Sequence, residues 1–310
     1  MRRVFAALAA VAMVVGALAL RASLGDGDDP AAPPSSPVLC AADLAAICEE
    51  AGIGSRAEPA GATADRLVAA TSADELEAAA WLTTSAWASL VVDERARLGR
   101  EPLFAVVGAP LASSGVAAVA WSDRQAQLAQ RCGQPADAEL GWRCVAEAAG
   151  ATLAAGDRVR VAIPDVDSAA GLVVAASQAA GLLGRADFAS NDFDGAFRTL
   201  ATGLADGQTA DPLRQMRGEG PGQVTVAGAL LAGARTLTSS FGTLQVNVPD
   251  PAVRADVVLV AARSAGIDDR HRAQLAGALR AAGFEDPAGG DGLPAGGVLA
   301  AIRTLWAEAR

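Results

Sequence analysis

Arg2-Arg3 precedes seventeen residues, Val4 to Leu20, that carry no charge and a single glycine. A basic pair ahead of an apolar run keeps its positive end inside and exports the rest of the chain, so the fold is expected to form outside the cytoplasm. As a helix the run reaches about 26 Å, slightly short of a hydrocarbon core of about 30 Å. It is also longer than the roughly 7–15-residue apolar core of a signal peptide. Ala17-Leu18-Ala19 offers a cleavage site, but Arg21 follows almost at once. An uncleaved membrane anchor over residues 1–24 and a cleaved signal therefore both remain open, and the protein is expected to be either membrane-anchored or secreted.

An oxidising compartment decides how the four cysteines are read. Cys40, Cys48, Cys132 and Cys144 permit three pairings. The two local ones, Cys40–Cys48 and Cys132–Cys144, close short loops and would each stabilise by about 2–3 kcal/mol. Zinc is disfavoured, because no C-x-x-C occurs and His271 is the only histidine. The net charge of −10 argues against nucleic acid and against attachment to anionic lipid. Every basic residue is arginine, which removes Schiff-base, Ser-Lys and P-loop chemistry. A hydrophobic fraction of 52% supplies a real core.

Residues 25–37, GDGDDPAAPPSSP, form a polar, proline-rich linker. Beyond it, strand candidates alternate with helix candidates. Strands are expected over 56–60, 80–84, 104–107, 115–121, 158–163, 223–226, 243–248 and 256–261. Helices are expected from Asp43 to Glu50, from a Thr63 cap, and over 87–97, 123–131, 142–149, 168–183, 193–204, 227–234, 269–282 and 297–309. This alternation points to parallel sheets and an α/β fold. Ser113 and Ser114 read as a loop ahead of a strand.

In open parallel sheets, ligands bind where strands end and helices begin. Three such places stand out. Leu82-Thr83-Thr84-Ser85 puts three hydroxyls after an apolar strand. Ser113-Ser114-Gly115 is the second. The third runs from Ile163-Pro164-Asp165 through Asp167-Ser168 into a helix whose first turn, Ala169-Ala170-Gly171, holds only small residues. Free N–H groups and a positive dipole end there would meet an anion. The competing reading makes Asp167 or Ser168 an ordinary N-cap and Gly171 a packing glycine. Trp87, just after the hydroxyl run, belongs near a cleft, whereas Trp81 and Trp121 read as core. His271 reads as a solvated surface residue. No catalytic, cofactor or metal motif is present, so no enzyme, no cofactor and no metal is expected.

The order of Val38–Leu44, Trp81–Trp87, Pro110–Val116, Ala162–Asp165 with Gly171-Leu172, Asp187–Asp192 and Ala255–Leu259 resembles the type 2 periplasmic binding protein superfamily. Within it, the pattern is similar to actinobacterial extracellular solute-binding proteins, on a molybdate/sulfate-binder-like fold. That resemblance implies a two-lobed α/β fold, each lobe a mostly parallel sheet flanked by helices, with two hinge crossovers near Gly108–Ser114 and Val246–Asp256. Lobe one would comprise 38–110 plus 250–310 and lobe two 111–249. The cleft positions fall on Cys40/Ala41, Thr84, Ser85, Ser113, Ser114, Ser168 and Ala169. A small polar or anionic ligand, such as an oxyanion, would be captured there and presented to a transporter or receptor. The stretch Val226–Leu231 matches a helix that carries polar residues in relatives but is apolar here. It leaves open a membrane-tethered cell-surface interaction protein with a degenerate ligand site.

Overall fold

A computed structural model describes residues 38–308, except 155, 157, 193–206, 263–266, 288 and 291. The N-terminal apolar run, the linker and the helix expected over 193–204 lie outside the described residues. Among the described residues, no helix is long and apolar enough to cross a membrane.

The fold is α/β. Strand β1 (Val38–Ala41) leads through a 3-10 turn at Ala42–Leu44 into helix α1 (Ala45–Glu50). Strand β2 (Ser55–Glu58), helix α2 (Ala60–Ala69), strand β3 (Ala80–Thr84) and helix α3 (Ser85–Arg97) come next. Then come β4 (Phe104–Val106), the long β5 (Ala112–Trp121), α4 (Ser122–Arg131), α5 (Trp142–Ala148), β6 (Val161–Pro164) and α6 (Ala169–Leu183). The chain continues through β7 (Gln208–Thr209), α7 (Pro212–Glu219), β8 (Val226–Leu230), α8 (Leu231–Ser240) and β9 (Leu244–Asn247). It closes with β10 (Arg254–Ala262), α9 (Asp269–Ala281) and α10 (Gly296–Glu308).

The strands run in the order β2-β1-β3-β10-β5-β8-β6-β7, with β4 also on β10 and β9 also on β5. The outer pairs are parallel, as βαβ connections require: β1 with β2 and β3, and β6 with β7 and β8. The centre is antiparallel: β10 runs against β3, β4 and β5, and β5 runs against β8 and β9. Residues Ala112–Gly115 of β5 pair with β10, whereas Val116–Trp121 pair with β8 and β9. One strand thus joins both halves of the sheet, with Ser113 and Ser114 at the changeover.

Helix α6 explains much of the packing. From Ala169 to Gly181 all its residues but Ala170 are buried. Its sequence is Ala, Gly, Leu and Val apart from Ser177 and Gln178, and a helix apolar all round belongs in a core. Ser177 Oγ accepts a 3.0 Å hydrogen bond from the Trp142 indole. Trp87, Trp142 and Trp306 share one hydrophobic core with Leu172, Val173 and Ile302.

Three local expectations need correction. The helix expected over residues 227–234 begins only at Leu231. Val226–Leu230 is a buried strand. Val-Ala-Gly-Ala-Leu is too short for periodicity to separate a buried strand from a buried helix. Its pairing with β5 and β6 makes it a strand, and Gly228 lets it pack closely: an added Cβ would stand 3.0 Å from Val174 Cγ1 and 3.1 Å from the Trp142 ring. Ser113 and Ser114 lie inside β5 rather than in a loop. The second helix begins at Ala60, behind Pro59, so Thr63 is not its cap; it is buried, and its hydroxyl donates to Glu58. Both expected disulfides, Cys40–Cys48 and Cys132–Cys144, are formed.

Arg95 shows how the helices of the first half are tied together. It is 3% exposed on α3. Its Nη1 donates to the carbonyls of Leu67 (2.6 Å), Ala70 (2.9 Å) and Val68 (3.2 Å), which are the open acceptors at the end of α2. Nε and Nη2 reach Glu101 O at 2.8 and 2.6 Å. Arg95→Leu leaves the Leu67 and Ala70 carbonyls without this donor, while Val68 O keeps Arg100 and Glu101 O keeps Leu103 N; the loss is expected to cost about 3 kcal/mol, the scale of a lost buried charge-assisted network. Arg95→Lys, which lacks the planar fork, should recover only part of that. Denaturant unfolding of the three proteins measures both.

Candidate ligand site at the start of the buried helix

The strand β6 ends at Pro164, and the chain turns through Asp165–Ser168 into α6. Ser168 is the N-cap: its Oγ accepts from Gly171 N at 2.9 Å and donates to Asp165 O at 2.7 Å. Gly171 is required by close approach, since an added Cβ would lie 1.8 Å from Asp165 O. The ordinary cap reading of this segment therefore holds for Ser168 and Gly171.

The other two N–H groups of the first turn are taken by the chain itself. Asp43 Oδ1 accepts from Ala169 N at 3.0 Å, and Oδ2 accepts from Ala170 N at 2.9 Å. Sequence position alone makes Asp43 a cap for its own helix. It instead lies in the 3-10 turn after β1 and caps a helix 126 residues further along. A carboxylate at a helix N-terminus gains from both the N–H donors and the helix dipole. Asp43 keeps contact with solvent. Burial nevertheless pushes its carboxyl above the usual aspartate range, while the Ala170 and Ala169 N–H groups pull it down.

The same turn is gripped from other sides. Thr84 Oγ1 donates to Ala169 O at 3.1 Å, and the Trp87 indole donates to Ser168 O at 2.9 Å. Gly61 N donates to Asp167 O at 2.9 Å. Arg303 Nε donates to Asp167 Oδ1 at 2.7 Å, and its Nη1 and Nη2 hold Asp65 at 2.5 and 2.9 Å. The hydrogen bonds to Asp65, followed by those to Asp167, hold the Arg303 guanidinium firmly protonated. That guanidinium also sits 5.2 Å from the centre of the Trp87 ring, so the tryptophan face expected near a cleft already carries a cation.

Of the sequence-derived positions, Thr84, Ser168 and Ala169 are brought together here, and Ser85 begins α3 beside them. Cys40 and Ala41 are fully buried, with the Cys40 sulfur held in its disulfide. Ser113 and Ser114 form a separate group. Ser114 Oγ accepts from Ala232 N at 3.1 Å, in the first turn of α8. Ser113 Oγ accepts from Arg254 Nε at 3.0 Å. Ser113 also exchanges backbone hydrogen bonds with Glu285, both 2.8 Å. Sequence reasoning does not single out Asp43 or Arg303 as site residues. Asp43 carries a signal as an acidic residue directly after a strand, but its partner lies far along the chain.

No family model and no curated protein matches the sequence. Among solved structures the chain is similar to a periplasmic thiamin binding protein, with 12% identity, TM-score 0.54, and 91% of this chain and 99% of that chain covered. It is also similar to iron-bound HitA from Pseudomonas aeruginosa, with 14% identity, TM-score 0.51 and coverage of 89% and 99%. A third is the apo ferric ion-binding protein A of Pasteurella haemolytica, with 12% identity, TM-score 0.50 and coverage of 89% and 95%. At these identities the likeness establishes the fold: the two-lobed α/β architecture of the periplasmic binding proteins.

Glu285 links Arg235 of α8 to Arg254 of β10, at 2.5 and 3.2 Å. The hydrogen bond from Arg235, then that from Arg254, holds its carboxyl below the ordinary value of 4.5. A depressed carboxyl stabilises the folded state above its unfolded pKa and loses that contribution as pH falls through the folded one. Glu285→Gln should therefore unfold more easily than the parent at pH 7. The gap should begin to close as the pH drops below about 4.5, where the unfolded chain's Glu285 takes up a proton, and should be gone once the pH has fallen below the lowered value of the folded state. Thermal midpoints recorded across that range check the sign.

Proposed function

We propose that the protein is an extracytoplasmic solute-binding protein that holds a small polar or anionic ligand between its two lobes and presents it to a membrane transporter. Lobe one comprises residues 38–110 and 250–310, and lobe two comprises 111–249. The solute-binding names of the structural neighbours agree with this reading at the level of fold. The observation that carries it is the Asp43 carboxylate on the first turn of α6. A carboxylate-sized group already sits there, between the β1 turn, the start of α3 and the turn before α6. In this reading Asp43 holds the place of the ligand, and an entering anion has to displace it.

A second reading rests on the same contacts. Ser114, Ser168, Thr84 and the Trp87 indole all bond to the chain's own groups, as they would in a cell-surface interaction protein whose ligand site has degenerated. The apolar stretch Val226–Leu231 no longer favours it, because most of that stretch is an interior strand.

Asp43→Ala separates the two. If α6 receives a solute, removing the carboxylate frees two N–H donors. Sulfate, phosphate or a simple carboxylate such as acetate should then bind at least tenfold more tightly than to the parent, on the scale of one or two charge-assisted hydrogen bonds. Calorimetric titration measures this directly. A ligand present at a hundredfold its Kd also adds about 2.7 kcal/mol to stability, which a thermal-shift assay detects. If neither protein responds to any of the anions, solute capture at α6 is wrong.

A further inference from the structure

Strand β6 has the α6 turn at its C-terminal end and a cavity at its N-terminal end. The cavity encloses about 390 Å³, and Arg158, Arg160, Gln215, Glu219 and Gln223 are among its lining residues. That is room for a small molecule, whose pockets run from about 300 to 1,000 Å³. Arg158 and Arg160 lead into β6 with Val159 buried between them, so alternation turns both arginines outward. Gln215 and Glu219 are four residues apart on α7, which places them on one face of that helix, and α7 packs on β6 and β8. The cavity therefore has a cationic edge from the strand and an acidic one from the helix.

The charged groups here are held by neutral partners. Arg158 Nε donates to Gly150 O at 3.0 Å, and Arg160 Nη1 donates to Gln223 Oε1. Gln215 Nε2 donates to Glu219 Oε2 at 3.1 Å. Among the described residues, Arg158, Arg160 and Glu219 enter no ion pair, and both Nη atoms of Arg158, Nη2 of Arg160 and Oε1 of Glu219 have no partner. All three side chains are exposed, so solvent reaches them. Two guanidiniums and one carboxylate thus line one cavity, fixed in direction and not neutralising one another.

We infer that this cavity binds a free acidic amino acid, aspartate or glutamate. Such a molecule carries two carboxylates and one ammonium, the complement of two guanidiniums and one carboxylate. The guanidinium forks of Arg158 and Arg160 each suit a carboxylate, and Glu219 accepts from the ammonium. Other classes match less well. A dicarboxylate without an amine meets the like charge of Glu219. A neutral amino acid leaves one arginine unused, and a diamine is repelled by both. The site is separate from the solute capture proposed at α6, because the length of β6 lies between them.

The test titrates the full chain calorimetrically with sodium L-aspartate and sodium L-glutamate. Succinate, which lacks the amine, and L-alanine, which lacks the second carboxylate, are the references at equal ionic strength. At least one acidic amino acid should bind saturably, about tenfold more tightly than either reference. Arg158→Gln and Arg160→Gln should each weaken that binding about tenfold. Glu219→Gln should weaken the amino acid but tighten succinate, opposite signs that a loss of folding does not produce. No saturable binding of either amino acid would overturn the inference, as would succinate binding the parent equally well. An affinity unchanged in both arginine variants would place the binding elsewhere and also overturn it. Asp43→Ala titrated with sulfate reads the other end of β6, so either reading can fail without the other.

Discussion

A helix buried along nearly its whole length must give its first N–H groups to something other than water. Helix α6 meets that demand with a serine cap, two carboxylate bonds from Asp43 and a first turn of small residues. Asp43 comes from the turn after the first strand, so the solution is tertiary. Once the turn before α6 has to sit beside β1, the nearby elements can reach it as well. Thr84, Trp87, Gly61 and Arg303 all close on the same few atoms. Gly61 is part of this: an added Cβ would stand 2.5 Å from Asp167 Oδ1. The central packing of the fold and the geometry of its candidate site are consequences of one helix end.

The chemistry of that end bears on function. In a ligand-binding cleft the N–H groups, an aromatic face and a neighbouring cation are the features that recognise an anion. Here each has an internal counterpart: Asp43 for the anion, Arg303 on the Trp87 ring, and Asp65 with Asp167 on Arg303. The chain's own carboxylate occupies the helix end from its solvent-facing side. Under the proposed solute-binding function, a ligand would compete with a tethered group of high local concentration, and its affinity would be set by the difference between two similar sets of hydrogen bonds rather than by their sum.

Much of this fold is legible in the sequence because the relevant signals are local. Ser168 before a run of small and apolar residues marks a cap and a buried helix. The strands at 80–84 and 256–261 are apolar runs of the right length, and the short cysteine spacings fit local bridges. The features that escape sequence reasoning depend on contacts between distant segments. Asp43 looks like a local cap by position, and only the approach of β1 to α6 makes it a remote one. The Val226–Leu230 run is apolar in either secondary structure, and its pairing with β5 and β6 settles the matter. Ser113-Ser114-Gly115 has the composition of a loop. It is a strand because β10 pairs with one edge of it and the Glu285 backbone bridges the other.

The antiparallel centre connects these particulars. Strand β5 pairs with β10 over its first residues and with β8 and β9 over the rest, and its partners change between Gly115 and Val116. The polar residues flanking that point, Ser113, Ser114, Arg254 and Glu285, join segments from both sides of the changeover, and Arg235 extends the group into α8. Ser114 bonds toward α8 on one face of the strand, while Ser113 faces Arg254 and Asp256 on the other. The two adjacent serines thus hold hydrogen bonds on both faces of the strand at the point where its partners change.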